Sequence, residues 1–388
     1  MLFFVVMLLI SLKVWVVLVG FAYAVLLSFY RKWFLQVQQF HSTLSHLPST
    51  KFSIIIPARN EENNIAHCLQ SIIQQQYPRE LFEVIVIDDH SADKTAFIVS
   101  SFQEEYPFIK LLKLEENLQG KKINAYKKKA IEIAISKAKG DWIITTDADC
   151  LLHKDWLKLY DEFICNKNVV FVAAPVIFTK QPTVLSLFQQ IDFMALQATT
   201  AAVVQAGLHS MCNGANLAYQ KNAFESVGGF KDIDNIASGD DMLLMNKLKL
   251  HYPNQIGYLY HPHALALTTP MPTWRAFINQ RVRWASKSDQ YKDKTLLPAL
   301  VVVYLMNLNV LVSAVAACMN ASFLTYAVGL LALKIIVEWR FLKECFSFFG
   351  KIRLSSFMAL QPLHIGYIII AGWLGKFGSY SWKERQVQ

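Results

Sequence analysis

The chain has 388 residues, of which 54% are hydrophobic and 17% charged, and this balance excludes a disordered or collagen-like polymer. Its net charge of +9 is uneven, with +1 over residues 1–30, +3 over 31–295 and +5 over 296–388. So weak an excess across the long middle argues against binding nucleic acid, which requires clustered bases to neutralise several phosphates. The six cysteines include no C-x-x-C pair, so neither a zinc site nor a redox motif is signalled and a reducing compartment fits.

From Leu2 to Phe29 the sequence is almost entirely apolar and then meets Arg31 and Lys32. That run exceeds the roughly 20 residues a spanning helix needs. Its charges follow the apolar run instead of preceding it, which disfavours a cleaved signal peptide. After a linker at 31–50, short β-branched runs at 51–56, 82–87, 109–114 and 141–146 alternate with helical periodicity, the βαβ pattern of a parallel sheet. The clearest helices are expected at 60–75 and 122–139, the second stopped by Gly140.

Ligands gather outside the carboxyl ends of such strands. The first strand runs into Pro57, Arg59 and Glu61, the second into Asp88 and Asp89, and the fourth into Asp147 and Asp149. Singly, these residues also make ordinary caps and turns. Two facing carboxylate pairs on adjacent sheet positions raise each other's pKa unless something positive neutralises them. A hard divalent cation bridging phosphate oxygens would do so.

The apolar segment 182–207 predicts a helix that packs in a core, covers the cleft or touches a bilayer. Asp240 and Asp241 open a helix whose Met242, Leu244, Met245 and Leu248 face the core, and the helix dipole alone would favour two acids there. Gln280, Arg283 and Trp284 fall on a helix predicted over 272–288, with 280 and 284 on one face. An interfacial anchor is the alternative, with Trp274, Phe277 and Trp284 at the bilayer surface and Arg281, Lys287 and Lys292 on lipid phosphates. His209, His261 and His263 show no ligand spacing.

Two apolar runs, 296–319 and 321–337, separated at Asn320, predict a helical hairpin through the membrane. A third candidate, 355–375, is interrupted by Gln361, Pro362 and His364 and is either re-entrant or spanning. Lys13 and Lys334 within the apolar runs would snorkel or pair. The bases flanking the spans place the middle of the chain in the cytosol by the positive-inside rule.

The stretches IIIPARNEENNI (54–65), VIVIDDHSADKT (84–95), QGKKINA (119–125), TTDADC (145–150), CNGANLAY (212–219), VGGF (227–230), SGDDMLL (238–244) and QRVRW (280–284) together resemble an inverting family 2 glycosyltransferase. The Q-x-x-R-W element between membrane helices is similar to ceramide glucosyltransferases and polysaccharide synthases. The resemblance implies an α/β GT-A nucleotide-diphospho-sugar transferase domain with a Rossmann-like mixed sheet, flanked by transmembrane helices. Its parts would be an N-terminal transmembrane helix at 1–30, a linker at 31–50 and a cytosolic transferase domain at 51–270. An interfacial helix at 271–294 and a C-terminal membrane region at 295–388 would follow.

By the same resemblance Pro57, Arg59 and Glu61 line the nucleoside, Asp89 bonds the uracil edge and Asp88 supports the turn. Lys121, or its neighbour Lys122, meets the diphosphate. Asp147 lies near the ribose, and Asp149, with Asp147, forms the metal site for Mg²⁺ or Mn²⁺. Asp241 is the general base, and Asp240 stands where the family has Glu. Arg283 pairs with diphosphate oxygens, while Trp284 walls the acceptor and Gln280 shares its face. Gly214 and Asn216 match the donor-sugar and acceptor loop. The implied activity moves a sugar from a UDP-sugar to a lipid or lipid-linked hydroxyl, at the bacterial inner membrane. A small processive polysaccharide synthase, a non-catalytic membrane scaffold or transporter component, and a two-metal nucleotidyltransferase are the rival readings.

Overall fold

The computed structural model describes residues 2–43, 46–118, 123–236, 239–286, 293, 295–378, 380–382 and 385–387. The chain divides into two compact units. One is helical and comprises Met1–Gln36, Pro182–Ala202 and Met271–Tyr380; the other is α/β and comprises Val37–Gln181, Val203–Pro270 and Ser381–Gln388.

The first half of the chain forms α1 (Leu2–Phe34), β1 (Phe52–Ala58), α2 (Ile65–Ile73), β2 (Phe82–Asp88), α3 (Thr95–Glu105), β3 (Ile109–Lys113), α4 (Leu114–Leu118) and α5 (Tyr126–Lys137). Then follow β4 (Trp142–Thr145), β5 (Leu151–Leu152), α6 (Trp156–Asn166), β6 (Phe171–Ala173), β7 (Val176–Phe178) and α7 (Val184–Gln205). The remainder holds β8 (Leu217–Gln220), α8 (Lys221–Ser226), α9 (Met242–His251), β9 (Ile256–Tyr258), β10 (Ala266–Thr268) and α10 (Trp274–Ala285). The last helices are α11 (Leu296–Met319), α12 (Leu324–Phe349), α13 (Leu354–Ala359) and α14 (Gln361–Phe377).

In the α/β unit a seven-stranded mixed sheet has the order β3-β2-β1-β4-β8-β6-β9. β1 runs parallel to β2 and β4, and β8 is antiparallel to β4 and β6. The near-continuous Ile/Val runs of β1 and β2 fit a sheet covered on both faces, and both strands are buried almost throughout. A second sheet, β5-β10-β7, forms a short ribbon after β4.

Several expectations change. The helix expected from residue 60 starts at Ile65, because Asn60 has φ +50° and its side-chain oxygen accepts from the Ala92 amide at 2.9 Å. The third strand stops at Lys113 because Leu114 already opens a helix. The two carboxylate pairs do not sit on neighbouring strands: β1 lies between β2 and β4 and separates them.

Gly140 does not itself end the preceding helix, which closes at Lys137. A Cβ at Gly140 would lie 2.5 Å from Ser53 N and 2.6 Å from Phe52 C, so the residue is small where the entry to β4 crosses the start of β1. We expect Gly140→Ala to destabilise the chain by about 2–3 kcal/mol through overpacking against backbone, read as a lower urea midpoint of the circular dichroism signal.

Among the described residues of the helical unit, three segments are long and apolar enough to cross a membrane: Lys13–Phe34, Leu296–Met319 and Ala321–Phe349. Asn320 marks the turn between the second and third, its side-chain oxygen accepting from the Ser322 amide at 3.0 Å. The candidate at 355–375 is broken into α13 and α14, with Pro362 in the first turn of α14, where a missing N–H costs nothing. At ~1.5 Å per residue α14 reaches roughly 25 Å, short of the ~30 Å hydrocarbon core. Lys13 lies 5.7 Å from the ring centres of both Phe323 and Tyr326, and Lys334 pairs with Glu338 on its own helix.

Candidate active site

The parallel register sets Ala58 beside Asp88 and Ile55 beside Thr145, so β1, β2 and β4 deliver their tips to one edge. There the loops are tied to one another. Asp89 N donates to Ala58 O at 2.8 Å, and Arg59 Nη1 to Asp89 O at 3.0 Å. Asn60 N donates to Ser91 Oγ at 3.0 Å, Glu61 N to Thr95 Oγ1 at 2.7 Å and Glu62 N to Asp93 Oδ2 at 3.0 Å. Asp88 and Asp89 are both buried, and Asp89 Oδ1 contacts His90 Nδ1 at 2.9 Å. Pro57 is the penultimate residue of β1 and only partly covered.

Asp147 and Asp149 follow β4. Thr268 Oγ1, on β10, donates to Asp149 Oδ2 at 2.8 Å. Burial first, and the Asp147 charge second, push the Asp149 carboxyl up to about 6. At the other end of the β5–β10 ribbon the His153 and His263 rings stack at 3.8 Å, each with Nδ1 within 3.5 Å of Asp155 Oδ2.

Asp241 caps α9: its Oδ1 accepts from Met242 N at 2.7 Å and its Oδ2 from Gly214 N at 3.0 Å. The buried positions of α9 are Leu243, Leu244, Met245 and Leu248, whereas Met242, expected in the core, is only partly covered. A Cβ at Gly214 would meet Asp240 Oδ2 at 3.2 Å and Lys127 Nζ at 3.4 Å, so glycine lets this backbone approach the charged groups closely. Asn216 is structural. Its side chain, fully buried, accepts from Trp156 Nε1 and Tyr160 OH at 3.0 Å each and donates to the Pro175 and Ala264 carbonyls at 2.7 Å each.

One side chain absent from the sequence-based candidates joins these groups. Lys127 Nζ lies 3.0 Å from Asp147 Oδ1 and 3.3 Å from Asp240 Oδ2. Burial works against its charge, but Asp147, Asp240 and Asp241 outweigh that and hold the ammonium above its ordinary pKa. Lys127, Lys128 and Lys129 crowd the first turn of α5, where the helix dipole disfavours cations; that mismatch was the available signal. Their fates differ. Lys129 pairs with Glu132 at 2.7 Å, while Lys128 is buried, donates to the Ile233 and Ile236 carbonyls at 2.6 and 2.9 Å, and is pushed down by burial to about 8. Lys121 and Lys122, the expected diphosphate donors, lie outside the described residues.

Gln280, Arg283 and Trp284 lie on α10, in the helical unit. Two interfacial expectations fail there, because Phe277 is fully buried and Arg281 is 4% exposed and ion-paired with Asp192 at 2.6 Å. Lys287 and Lys292 lie outside the described residues.

The sequence matches the family described as Glycosyl transferase family 2 over residues 53–228. It also matches Glycosyl transferase family group 2 over residues 142–370, more than half of the chain. The chain belongs to glycosyl transferase family group 2. It is similar to "Probable glycosyltransferase YdaM" of Bacillus subtilis, at 28% identity covering 66% of this chain and 58% of the relative. "Beta-monoglucosyldiacylglycerol synthase" of Synechocystis is 27% identical over 62% of this chain and 48% of the relative. "Poly-beta-1,6-N-acetyl-D-glucosamine synthase" of Staphylococcus epidermidis is 24% identical, covering 76% and 69%. The chain thus spans about half the length of the curated relatives it matches first. Among solved structures, a mannosyltransferase from Pyrobaculum calidifontis in complex with GDP-Man and Mn²⁺ superposes with a TM-score of 0.58 at 19% identity, covering 94% of this chain and 98% of the other. That likeness establishes the GT-A fold.

Removing the shared cation would leave three carboxylates repelling one another. We expect Lys127→Met to lower stability by about 2 kcal/mol and to reduce sugar transfer far more than the midpoint shift accounts for. Thermal unfolding and transfer assays on the same preparation check both.

Proposed function

We propose that this glycosyltransferase moves a sugar from a UDP-sugar to the hydroxyl of a membrane lipid, with inversion at the anomeric carbon. The observation that carries the reading is the Lys127 bridge, which joins the carboxylate after β4 to the acid pair at the start of α9 and so unites a donor end and an acceptor end in one cleft. Arg59, Glu61 and Asp89 on the tied loops hold the nucleoside, with Pro57 lining it, Asp88 supporting the turn and Lys121 meeting the diphosphate.

Asp147 and Asp149 suit a divalent cation. Their donors are oxygens only, as Mg²⁺ and Mn²⁺ require, and the crowding of Asp149 by Asp147 is relieved by added positive charge. Such a cation would neutralise the nucleoside diphosphate as it departs. Because Asp149 must be ionised to ligate, Mn²⁺ affinity is expected to fall as the pH drops through about 6.

Asp241 acts as general base. The acceptor oxygen attacks the anomeric carbon, the bond from that carbon to the β-phosphate oxygen breaks, UDP leaves, and Asp241 takes the hydroxyl proton. The two amide hydrogen bonds to Asp241 fix its carboxylate plane. Asp240, paired with Lys127, sets the charge beside it. On α10, Arg283 offers a planar fork for phosphate oxygens, and Gln280 and Trp284 face the acceptor.

A lipid acceptor is supported by the three helices that, among the described residues, are apolar and long enough to span a bilayer and by similarity to a beta-monoglucosyldiacylglycerol synthase. Arg31, Lys32, Arg340, Lys343, Lys351 and Arg353 near their ends favour a cytosolic transferase at the bacterial inner membrane. Similarity to a poly-N-acetylglucosamine synthase favours processive synthesis as the second reading.

The test incubates the purified chain in phosphatidylglycerol vesicles containing dioleoylglycerol and lipid extract with Mn²⁺ and UDP-glucose, UDP-N-acetylglucosamine or GDP-mannose. A lipid mass gain of one hexose or N-acetylhexosamine supports the proposal. A product ladder selects the processive reading, and use of GDP-mannose alone overturns the uridine assignment. Asp241→Asn is expected to bind UDP within about twofold of the parent while transfer falls by roughly 10²–10⁴. Asp149→Ala is expected to weaken UDP binding in Mn²⁺ by roughly tenfold or more.

A further inference from the structure

α10 carries more than its three expected residues. Arg281, between Gln280 and Arg283, turns into the helical unit and is buried. Its Nη2 lies 2.6 Å from Asp192 Oδ2 on α7, and its Nη1 donates to Gln280 Oε1 at 3.1 Å. The guanidinium lies 4.1 Å from the ring centre of Trp284 and 4.7 Å from that of Phe277. One charged group therefore contacts two of the side chains read as functional, Gln280 by hydrogen bond and Trp284 by stacking.

Asp192 is held in turn. Its Oδ1 accepts from Tyr367 OH on α14 and lies 4.0 Å from His364 Nε2. His364 Nδ1 meets Lys334 Nζ at 3.1 Å, and Lys334 pairs with Glu338, which also accepts from Tyr23 OH and, at 2.9 Å, from Gln361 Nε2. A continuous polar seam thus runs through α1, α7, α10, α12 and α14, with Arg281 and Lys334 balancing Asp192 and Glu338. Buried ion pairs are poor sources of net stability but can specify a single arrangement, since apolar side chains of equal volume often pack as well or better.

We infer that Asp192 and Arg281 are positioning residues that hold Trp284 and Gln280 in one orientation, and through them the acceptor. The acceptor part rests on the proposed role of Trp284. The planar guanidinium is essential, because an ammonium cannot fork to Asp192 and Gln280 while lying flat on an indole.

The experiment labels the whole chain with 5-fluorotryptophan and assigns the Trp284 fluorine resonance by its loss in Trp284→Phe. In Asp192→Asn and Arg281→Lys the Trp284 line is expected to shift and broaden, with a smaller shift in Tyr367→Phe, which keeps the ion pair. UDP affinity in Mn²⁺ should stay within twofold, and the acceptor KM for dioleoylglycerol or the lipid found in the transfer assay should rise at least fivefold with donor KM unchanged. Ser313→Ala, at a buried polar position on α11 that takes no part in this seam, serves as the control and should leave line and KM in place. A Trp284 line unmoved in both Asp192→Asn and Tyr367→Phe overturns the inference, as does an equal shift in Ser313→Ala. A line that moves without a change in acceptor KM upholds the positioning and removes Trp284 from the acceptor site.

Discussion

One ammonium balances the acidic edge of the sheet. Lys127 faces Asp147 on one side and Asp240 on the other, and Asp241 adds to the field that keeps it charged. Carboxylates this close would otherwise raise each other's pKa and drive protons onto the site. A protein cation that spans both groups offsets their repulsion, while burial and the Asp147 charge push the Asp149 carboxyl up to about 6. In the proposed reaction that cation would let an anionic base and an anionic leaving group share one cleft.

The sheet makes that balance possible by geometry alone. Parallel β2, β1 and β4 must end on the same edge, and the backbone and side-chain ties between residues 59–62 and 89–95 turn loops into a fixed rim. Small residues permit close approach at Gly140, where the entry to β4 meets the start of β1, and at Gly214, against the charged cluster. Asn216 then braces the loop behind the site with four hydrogen bonds, all to protein partners.

The helical unit follows another rule. Its apolar helices need no polar residues to be buried or to span, yet they carry Asp192, Arg281, Lys334, Glu338, His364 and Tyr367 in contact with one another. Charges withdrawn from water persist only where they compensate one another, and here the compensation is between helices as well as along them. Such a seam can specify one rotation and register among the helices that share it.

Strand positions, the apolar helices, the acidic strand tips and the family were readable in the sequence, because each depends on local period, run length or short motifs. Two of the boundaries that moved, at residues 60–65 and at Leu114, moved where a turn residue bonded to a distant loop or a helix began without a loop. The sequence could not reveal which of three successive lysines serves the site, since Lys127 meets Asp147 from 20 positions away and Lys128 beside it points to backbone carbonyls. Nor could it show that Arg281 avoids solvent and lipid phosphate, because Asp192 lies 89 residues earlier. Periodicity says which residues want to be buried; only packing in three dimensions chooses the partner of a buried charge, since that choice depends on distances between segments the chain order leaves free.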